Sequence, residues 1–500
     1  MDEKTRLALA TFGAAMVLGA LGDALLRATP WGLNVFLWTV ILLAVAVALA
    51  RLWNVGISGE GRLFLPVAAI FSAGVVWRDS VTVTFLDVVA VLVSLSLAAL
   101  WGRAGRVRLR GLSEYVIGGL YTGAVSAAGP LPAAIRDVRW AEVTRGRKRG
   151  HALAVARGVT IAAPLLFVFG TLFVAADAVF ENFVIEVFDV DLAEIFGHLF
   201  LIGFFAWISA GLLWLFLLSR EPEGFSFRRP GAISLGIVEV GIALGLLDLL
   251  FAAFVFVQVR YLFGGVETVV TSAGLTYAEY ARRGFFELVT VTALALPVLL
   301  LAHWLLRGEE RTHRRIFVAL AGAMVALLFV VVASALYRMR LYTGEFGLTE
   351  LRFYTTAFMI WLSAVLLWFL PTVLRGHRDR FAFGALVTGF AAILVINAIN
   401  PDALIARTNI ARLEEGKRFD AYYLTTLSAD AAPVLSDALS EIGARPMFPK
   451  PVGDPLGEEM TSSEPTLERE LLEQWDTNHS DWRTWNLSRW RADRLADSYR

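Results

Sequence analysis

The stretch IFVALAGAMVALLFVVVASALY (316–337) decides the fold class of this chain. It contains no charged residue, and it exceeds the roughly 20 apolar residues that a helix needs to cross the hydrocarbon core of a bilayer. Arginines flank it closely, at Arg314 and Arg315 before it and at Arg338 and Arg340 after it. An apolar run of this length, bounded by charges, is typical of a transmembrane helix.

Similar runs recur along most of the chain. The composition agrees, because 57% of the 500 residues are hydrophobic, 18% are charged and the mean hydropathy is +0.63. Soluble domains carry about a quarter charged residues. The sequence therefore predicts an all-α polytopic transmembrane helical bundle of about 11 spans. These are 7–26, 31–50, 63–77, 81–101, 158–180, 196–218, 232–259, 286–306, 316–337, 350–370 and 381–398.

The loop charges predict an orientation. Lys and Arg collect in cytoplasmic loops, and here they collect on the side that would hold the N-terminus. The loop 181–195 on the other side has five carboxylates and no basic residue. We expect a multi-pass protein of the bacterial cell (inner) membrane, with the N-terminus cytoplasmic and the C-terminus extracytoplasmic. Residues 114–135 are interpreted as an interfacial or re-entrant helix, because a further span there would spoil this asymmetry.

Changes in composition divide the chain. Predicted are a transmembrane helical domain (1–399), whose segment 103–157 is a basic cytoplasmic loop with an interfacial helix, and a helical extracytoplasmic segment (400–444). A Pro-rich linker (445–465) and a Trp-rich polar tail (466–500) follow. The chain has no cysteine, which excludes disulfides and thiolate chemistry.

Carboxylates inside predicted spans are the first candidate functional groups, since each costs about 2.5–3.5 kcal/mol at a helix centre. Glu239 and Asp248 share one span and lie about two and a half turns apart, so they point to different faces. A proton or cation path is one interpretation. Hydrogen bonding that only fixes helix packing is the other.

The second candidate is a set of polar, aromatic-rich stretches on the predicted outer side, where basic residues should be scarce. Arginines there suit an anionic group, such as a lipid headgroup or a phosphate- or carboxylate-bearing envelope molecule. The alternative is that they pair with nearby carboxylates and tie loops together. The ligand-binding hypothesis names Glu279, Arg282, Arg283, Arg352, Asn400, Asp402 and Arg407.

Several signatures of soluble enzymes are missing. No GxxxxGK[ST] loop, HExxH motif or GxSxG elbow occurs, and no metal-ligand spacing is seen. We therefore expect no cofactor and no metal. The balanced charge, 45 basic against 45 acidic residues, gives no indication of nucleic-acid binding. Enzyme activity is undecided, and these absences weigh against it.

An ordered series of motifs resembles a known family. It includes WRDS (77–80), AEYARRGFFEL (278–288), LYTGEFGLTELRFY (341–354), NPDALIARTNIAR (400–412) and FDAYYLTTLSADAAPVL (419–435). The chain is similar to the bacterial membrane proteins of domain of unknown function 4173, with 4153 as a near relative. The resemblance implies a multi-spanning protein that ends in a helical segment, and it brings no activity. Positions that match the family's motifs include Glu279, Arg282, Arg283, Gly284, Arg352, Asn400, Pro401, Asp402, Arg407, Asn409, Asp420 and Asp430.

Three functional hypotheses follow. The leading one is an integral membrane protein, in contact with the lipid bilayer, whose outer face binds an anionic envelope molecule or a protein partner. The second is a proton- or ion-coupled transporter or flippase that uses Glu239 and Asp248. The third is a membrane-embedded transferase for lipid-linked substrates, with Asp402 or Glu279 as its base.

Overall fold

A computed structural model gives the fold of the chain. It describes residues 1–143, 169–170, 172–173, 176–177, 192–219, 235–263, 285–306, 311–417, 420–442, 466–476 and 481–500. Within these residues the regular structure is helical, and ten helices are long and apolar enough to cross a membrane. The chain is an all-α polytopic membrane protein, as the sequence predicts. The predicted span 158–180 falls largely outside the described residues.

The first bundle contains six main helices and two short ones. They are α1 (Glu3–Leu26), α2 (Leu33–Leu52), α3 (Phe64–Trp77), α4 (Val81–Trp101), α5 (Leu112–Ala128) and α8 (Leu192–Leu217), with the short α6 (Leu131–Arg136) and α7 (Trp140–Val143) between α5 and α8. Their shared core holds Leu18, Phe71, Trp101 and Leu213. Helices α1 and α8 can approach closely at Gly19 because glycine has no Cβ atom. A Cβ atom there would collide with the backbone of Ile202.

The second bundle consists of α9 (Ile237–Phe263), α10 (Phe285–Leu305), α11 (Arg311–Phe346) and α12 (Glu350–Thr372). Its core includes Leu244, Leu299, Leu328 and Phe369. Helix α13 (Phe381–Ile399) contributes side chains to both cores and so joins the two bundles.

The last helices form a small domain at one end of the bundle. They are α14 (Pro401–Glu414), α15 (Ala421–Thr425), α16 (Ala432–Ile442), α17 (Leu467–Trp475) and α18 (Leu487–Ser498). A separate apolar core of Ile405, Leu424, Leu435 and Trp475 holds them together. We call the end of the bundle that carries this domain the distal end, and the end that carries the N-terminus the proximal end.

Helix α5 does not run from one end of the bundle to the other. Gly118 lies beside Trp101 near the proximal end, and the indole of Trp207, midway along α8, donates to the carbonyl of Ala127 (2.8 Å). The chain then turns back, and Asp137 forms an ion pair with Lys4 at the proximal end (2.6 Å). Helices α5 and α6 thus make a hairpin that enters and leaves at the same end.

Candidate ligand cavity at the distal end

Asp430 is the centre of a buried polar network at the distal end. Its Oδ2 atom accepts hydrogen bonds from the backbone N–H groups of Asp79 and Ser80, both 2.9 Å away. The hydroxyl of Ser488 lies 2.5 Å from Oδ1, and the Arg78 guanidinium lies 3.5 Å from it. A carboxylate just before α4 also complements the positive end of that helix. One side chain thereby joins the α3–α4 turn to the distal domain.

Arg78 extends this network to α13. Its Nε atom donates to the carbonyl of Asn397 (2.7 Å), and its guanidinium stacks on the ring of Trp77 at 4.4 Å. Burial lowers the pKa of Arg78, while the charge of Asp430 opposes that shift. The guanidinium stays charged in any case, because an arginine side chain is not deprotonated in proteins.

The tail closes the network from the other side. Asn486 donates from Nδ2 to the carbonyls of Val75 (2.9 Å) and Arg78 (2.8 Å), which lie at the C-terminal end of α3. Its Oδ1 atom accepts from the N–H groups of Ser488 and Arg489 at the start of α18. Asn486 thus satisfies the free backbone groups of two helix ends at once.

Arg489 fixes the tail to the α1–α2 turn. Its NH1 group lies 3.0 Å from Oδ1 of Asp79, and NH2 donates to the carbonyls of Trp31 (2.9 Å) and Thr484 (2.7 Å). The residue is only 6% exposed, and burial lowers its pKa against the opposing charge of Asp79. Most of its donors are therefore used by the protein itself.

Two of the predicted site residues belong to this network. Asn400 adopts a left-handed backbone (φ 58°), accepts from the N–H of Ala403 and donates to the carbonyl of Asp430 (3.1 Å). Asp402 is fully buried, and its Oδ2 atom accepts from the N–H (3.2 Å) and hydroxyl (2.5 Å) of Ser428. Its Oδ1 atom has no donor within the described residues.

Burial raises the pKa of Asp402 to about 6. The hydrogen bonds from Ser428 act in the opposite direction, and the nearby charges of Glu350 and Asp430 add to the increase. A carboxyl group in such a place exchanges its proton closer to neutral pH than an exposed aspartate does.

The predicted arginines have other positions. Arg352 donates to the carbonyls of Phe346 (3.1 Å) and Gly347 and stacks on Tyr342 at 4.1 Å, so it caps the C-terminal end of α11. Arg407 is exposed on α14 and takes no part in the network. Glu279, Arg282 and Arg283 lie outside the described residues.

The two carboxylates predicted within one span are well separated. Glu239 is exposed in the first turn of α9, at the proximal end. Asp248 lies about 13 Å further along the axis, and no described group donates to its two buried carboxylate oxygens. They do not form a common site.

A cavity of about 800 Å³ lies beside the Asp430 network. Its charged lining comes from Asp79, Glu350 and Arg489. Val81 and Phe85, on its α4 side, are 83% and 65% exposed, so the cavity is continuous with the outer, apolar surface of the bundle. The remaining apolar lining includes Pro30, Trp31, Val88, Leu427, Trp475 and Ala492.

Sequence reasoning did not identify Asp79, Arg489 or the cavity as a site. One signal was present, because Arg78 and Asp79 stand in a very short turn between two apolar spans, where charged groups are costly unless paired. The contribution of the tail carried no such signal, since Asn486 and Arg489 lie in an ordinary polar segment.

The comparisons with known proteins identify a family for the chain. No curated protein and no solved structure matches the chain. One family matches residues 65–438, a range that contains the WRDS turn, Asp402 and Asp430. It is the one named above as a near relative of domain of unknown function 4173, and membership of 4173 itself stays a prediction. The chain belongs to the family of the domain of unknown function DUF4153.

Proposed function

We propose that this membrane protein binds an amphipathic molecule in the distal cavity. The observation that carries the proposal is the position of the cavity, between the polar network around Asp430 and the exposed apolar side of α4. An elongated ligand would place its apolar part along Val81, Phe85 and Val88. Its polar part would lie near Asp79, Glu350 and Ser428.

The size of the cavity supports this function. Small-molecule sites occupy roughly 300–1,000 Å³, are mostly apolar and carry a few polar groups that fix orientation. The distal cavity has about 800 Å³ and combines aromatic side chains, such as Trp31 and Trp475, with three charged residues. A pocket that also reaches the lipid-facing surface suits a ligand that is itself part of the membrane.

The charges of the cavity differ from the anionic site that the sequence predicts. Arg489 uses its NH1 and NH2 groups on Asp79 and on backbone carbonyls. Arg352 does not line the cavity, and its NH1 group donates to the carbonyls of Phe346 and Gly347. Neither residue therefore supplies the cavity with a clamp for phosphate or carboxylate. Because Arg282 and Arg283 lie outside the described residues, an anionic ligand bound by them stays a prediction.

The orientation is also part of the proposal. Short loops at the proximal end carry Arg51, Arg62, Arg103, Arg106 and Arg108. The positive-inside rule therefore supports a cytoplasmic proximal end and an extracytoplasmic cavity in a bacterial cell membrane.

Filling the cavity tests the proposed function. Thr84→Trp puts an indole side chain into the cavity wall. Leu92→Trp puts the same side chain on the exposed side of α4, two turns further along. After purification in mild detergent, native mass spectrometry measures the tightly held amphiphile. We expect Thr84→Trp to lose most of it and Leu92→Trp to retain it. Equal retention in the two variants would contradict the proposal.

A second candidate function is proton- or ion-coupled transport, and Asp248 is the observation that favours it. Its carboxylate is buried within a span without a described donor, an expensive arrangement that often marks an ion path. Proton flux into liposomes that contain the protein tests this function. Asp248→Asn should abolish the flux, and an unchanged rate would exclude Asp248 as the coupling residue.

A further inference from the structure

We propose that the distal cavity selects an amphiphile whose head group carries an ammonium ion. This inference rests on the proposed function and names the class of ligand. The charges that line the cavity and the aromatic side chains beside them support it.

The protein itself neutralises two of the charges that line the cavity. Arg489 and Asp79 are 3.0 Å apart and form an ion pair at the cavity wall. Asp79 also accepts from the N–H of Ala429 (3.3 Å), and Arg489 donates to the carbonyls of Trp31 and Thr484. Together these two residues bring no net charge to the cavity.

Glu350 is the remaining charged residue of the cavity lining. It is half-buried in the first turn of α12, and no described group donates to its carboxylate. The backbone N–H of Glu350 donates to the hydroxyl of Tyr423 (2.8 Å), which fixes the start of the helix. The cavity therefore presents one carboxylate that the described residues leave uncompensated, and a cation is the ligand group that complements it.

The surroundings of the Glu350 carboxylate also favour a cation. The charge of Glu350 acts on Asp402, so a second carboxylate lies near this one. Trp31 also lines the cavity and is 44% exposed. Aromatic faces attract ammonium ions by about 0.5–2 kcal/mol, depending on desolvation.

Two lipids with the same acyl chains separate an ammonium head group from an anionic one. We would offer phosphatidylethanolamine and phosphatidylglycerol in equal amounts to the full chain in mixed micelles, and count the retained molecules by native mass spectrometry. The wild-type chain should prefer phosphatidylethanolamine. A charged hydrogen bond contributes about 1.5–3 kcal/mol, so Glu350→Gln should reduce that preference by about tenfold or more.

Two further variants make the result specific. Glu345→Gln removes an exposed carboxylate from the last turn of α11, outside the cavity, and should keep the wild-type preference. Glu350→Asp keeps the charge and should keep part of the preference, which a general effect on folding would not explain. Equal preference in the wild type and Glu350→Gln would overturn the ammonium assignment.

The assay also distinguishes this inference from the proposed function. If Thr84→Trp lost its lipid while Glu350→Gln retained the wild-type preference, the cavity would bind an amphiphile without recognising an ammonium group. Soluble ethanolamine phosphate serves as a further probe. Its binding by a wild-type chain that retained neither lipid would overturn the amphiphile and leave a free amine as the ligand.

Discussion

Asp430 satisfies two N–H groups of the α3–α4 turn, the hydroxyl of Ser488 and part of the charge of Arg78. Because these groups are buried or half-buried, the loss of the carboxylate leaves several donors without an acceptor and the Arg78 guanidinium without its counter-ion. Removing one member of a buried ion pair costs about 3–5 kcal/mol. The network is therefore a main source of cohesion between the bundle and the distal domain.

We expect Asp430→Ala to lower the unfolding temperature of the detergent-purified protein strongly. Asp437→Ala removes an exposed carboxylate from α16 in the same domain, and it should change the unfolding temperature little. Thermal unfolding followed by size-exclusion chromatography measures both variants. Similar unfolding temperatures for the two would show that the buried network contributes little to stability.

Asp402 gives the stability a dependence on pH. Its pKa is about 6 in the folded chain, above the ordinary 3.8, so the folded state holds the proton more tightly. Stability from this group is therefore greatest below about pH 4 and is lost as the pH rises towards 6. The difference amounts to about 3 kcal/mol at most.

Asp402→Asn keeps an oxygen that can accept from Ser428 and removes the titration. We expect the unfolding temperature of the wild type to fall more than that of the variant between pH 5 and pH 7.5. Unfolding curves recorded at both pH values measure this difference. Parallel changes in the two proteins would mean that Asp402 has an ordinary pKa in the folded chain.

Residue patterns predict such sites only in part. Asn400 and Asp402 could be chosen because they stand in a motif after the last span. The contact of this motif's network with the α3–α4 turn could not be predicted, because Asp430 and Ser80 are 350 positions apart in the sequence. The spacing of residues along a helix indicates which side chains share a face, but it does not indicate which distant turns meet.

Helix limits were predicted well where hydropathy alone sets them. The described spans begin and end within a few residues of the predicted ones, except at α11, which extends over Arg311–Phe346 instead of 316–337. The extension contains Arg338, which is buried and donates to Oε1 of Gln258 (3.0 Å). A charged residue ends an apolar run without ending the helix when a neighbouring helix supplies its partner.

The α5–α6 hairpin shows why moderately apolar segments need packing information. Its small residues allow α5 to lie against Trp101 and Trp207, and the glycine at Gly129 (φ 57°) turns the chain back. Non-helical backbone at such depth is tolerated when it is covered by protein. Composition alone leaves an interfacial helix, a hairpin and a span equally open.

Cysteine labelling tests the hairpin, and the absence of native cysteines makes it direct. Ser113→Cys and Arg136→Cys place exposed thiols in the first turn of α5 and at the end of α6. We expect an impermeant maleimide to label both from the same side of the membrane. Labelling of the two positions from opposite sides would show that the segment spans.

The tail is the part of the chain whose structure the sequence predicts least. Its composition predicts only a Trp-rich polar tail (466–500). In the structure Trp475 is buried in the core of the distal domain, while Trp482 and Trp490 are exposed. The tail contributes Arg489 and Ala492 to the cavity, so the proposed ligand site includes a segment beyond the matched family range.

The alternation of the described spans determines where the two chain ends lie. Asp2 is at the proximal end, where its backbone N–H donates to Glu142 (2.8 Å). Ser498 lies near the end of α18, in the distal domain. The chain is at the proximal end at Val143 and at the distal end at Leu192.

We therefore expect Asp2→Cys and Ser498→Cys to react with an impermeant maleimide from opposite sides of the membrane. In intact spheroplasts Ser498→Cys should be labelled and Asp2→Cys protected, because the proposed orientation places the distal domain outside. Inverted vesicles should reverse the pattern. If both thiols react from one side, the number of crossings is wrong by one and the cavity cannot be assigned to the outer face. If the pattern is opposite in both preparations, the fold stands and the ligand must come from the cytoplasm.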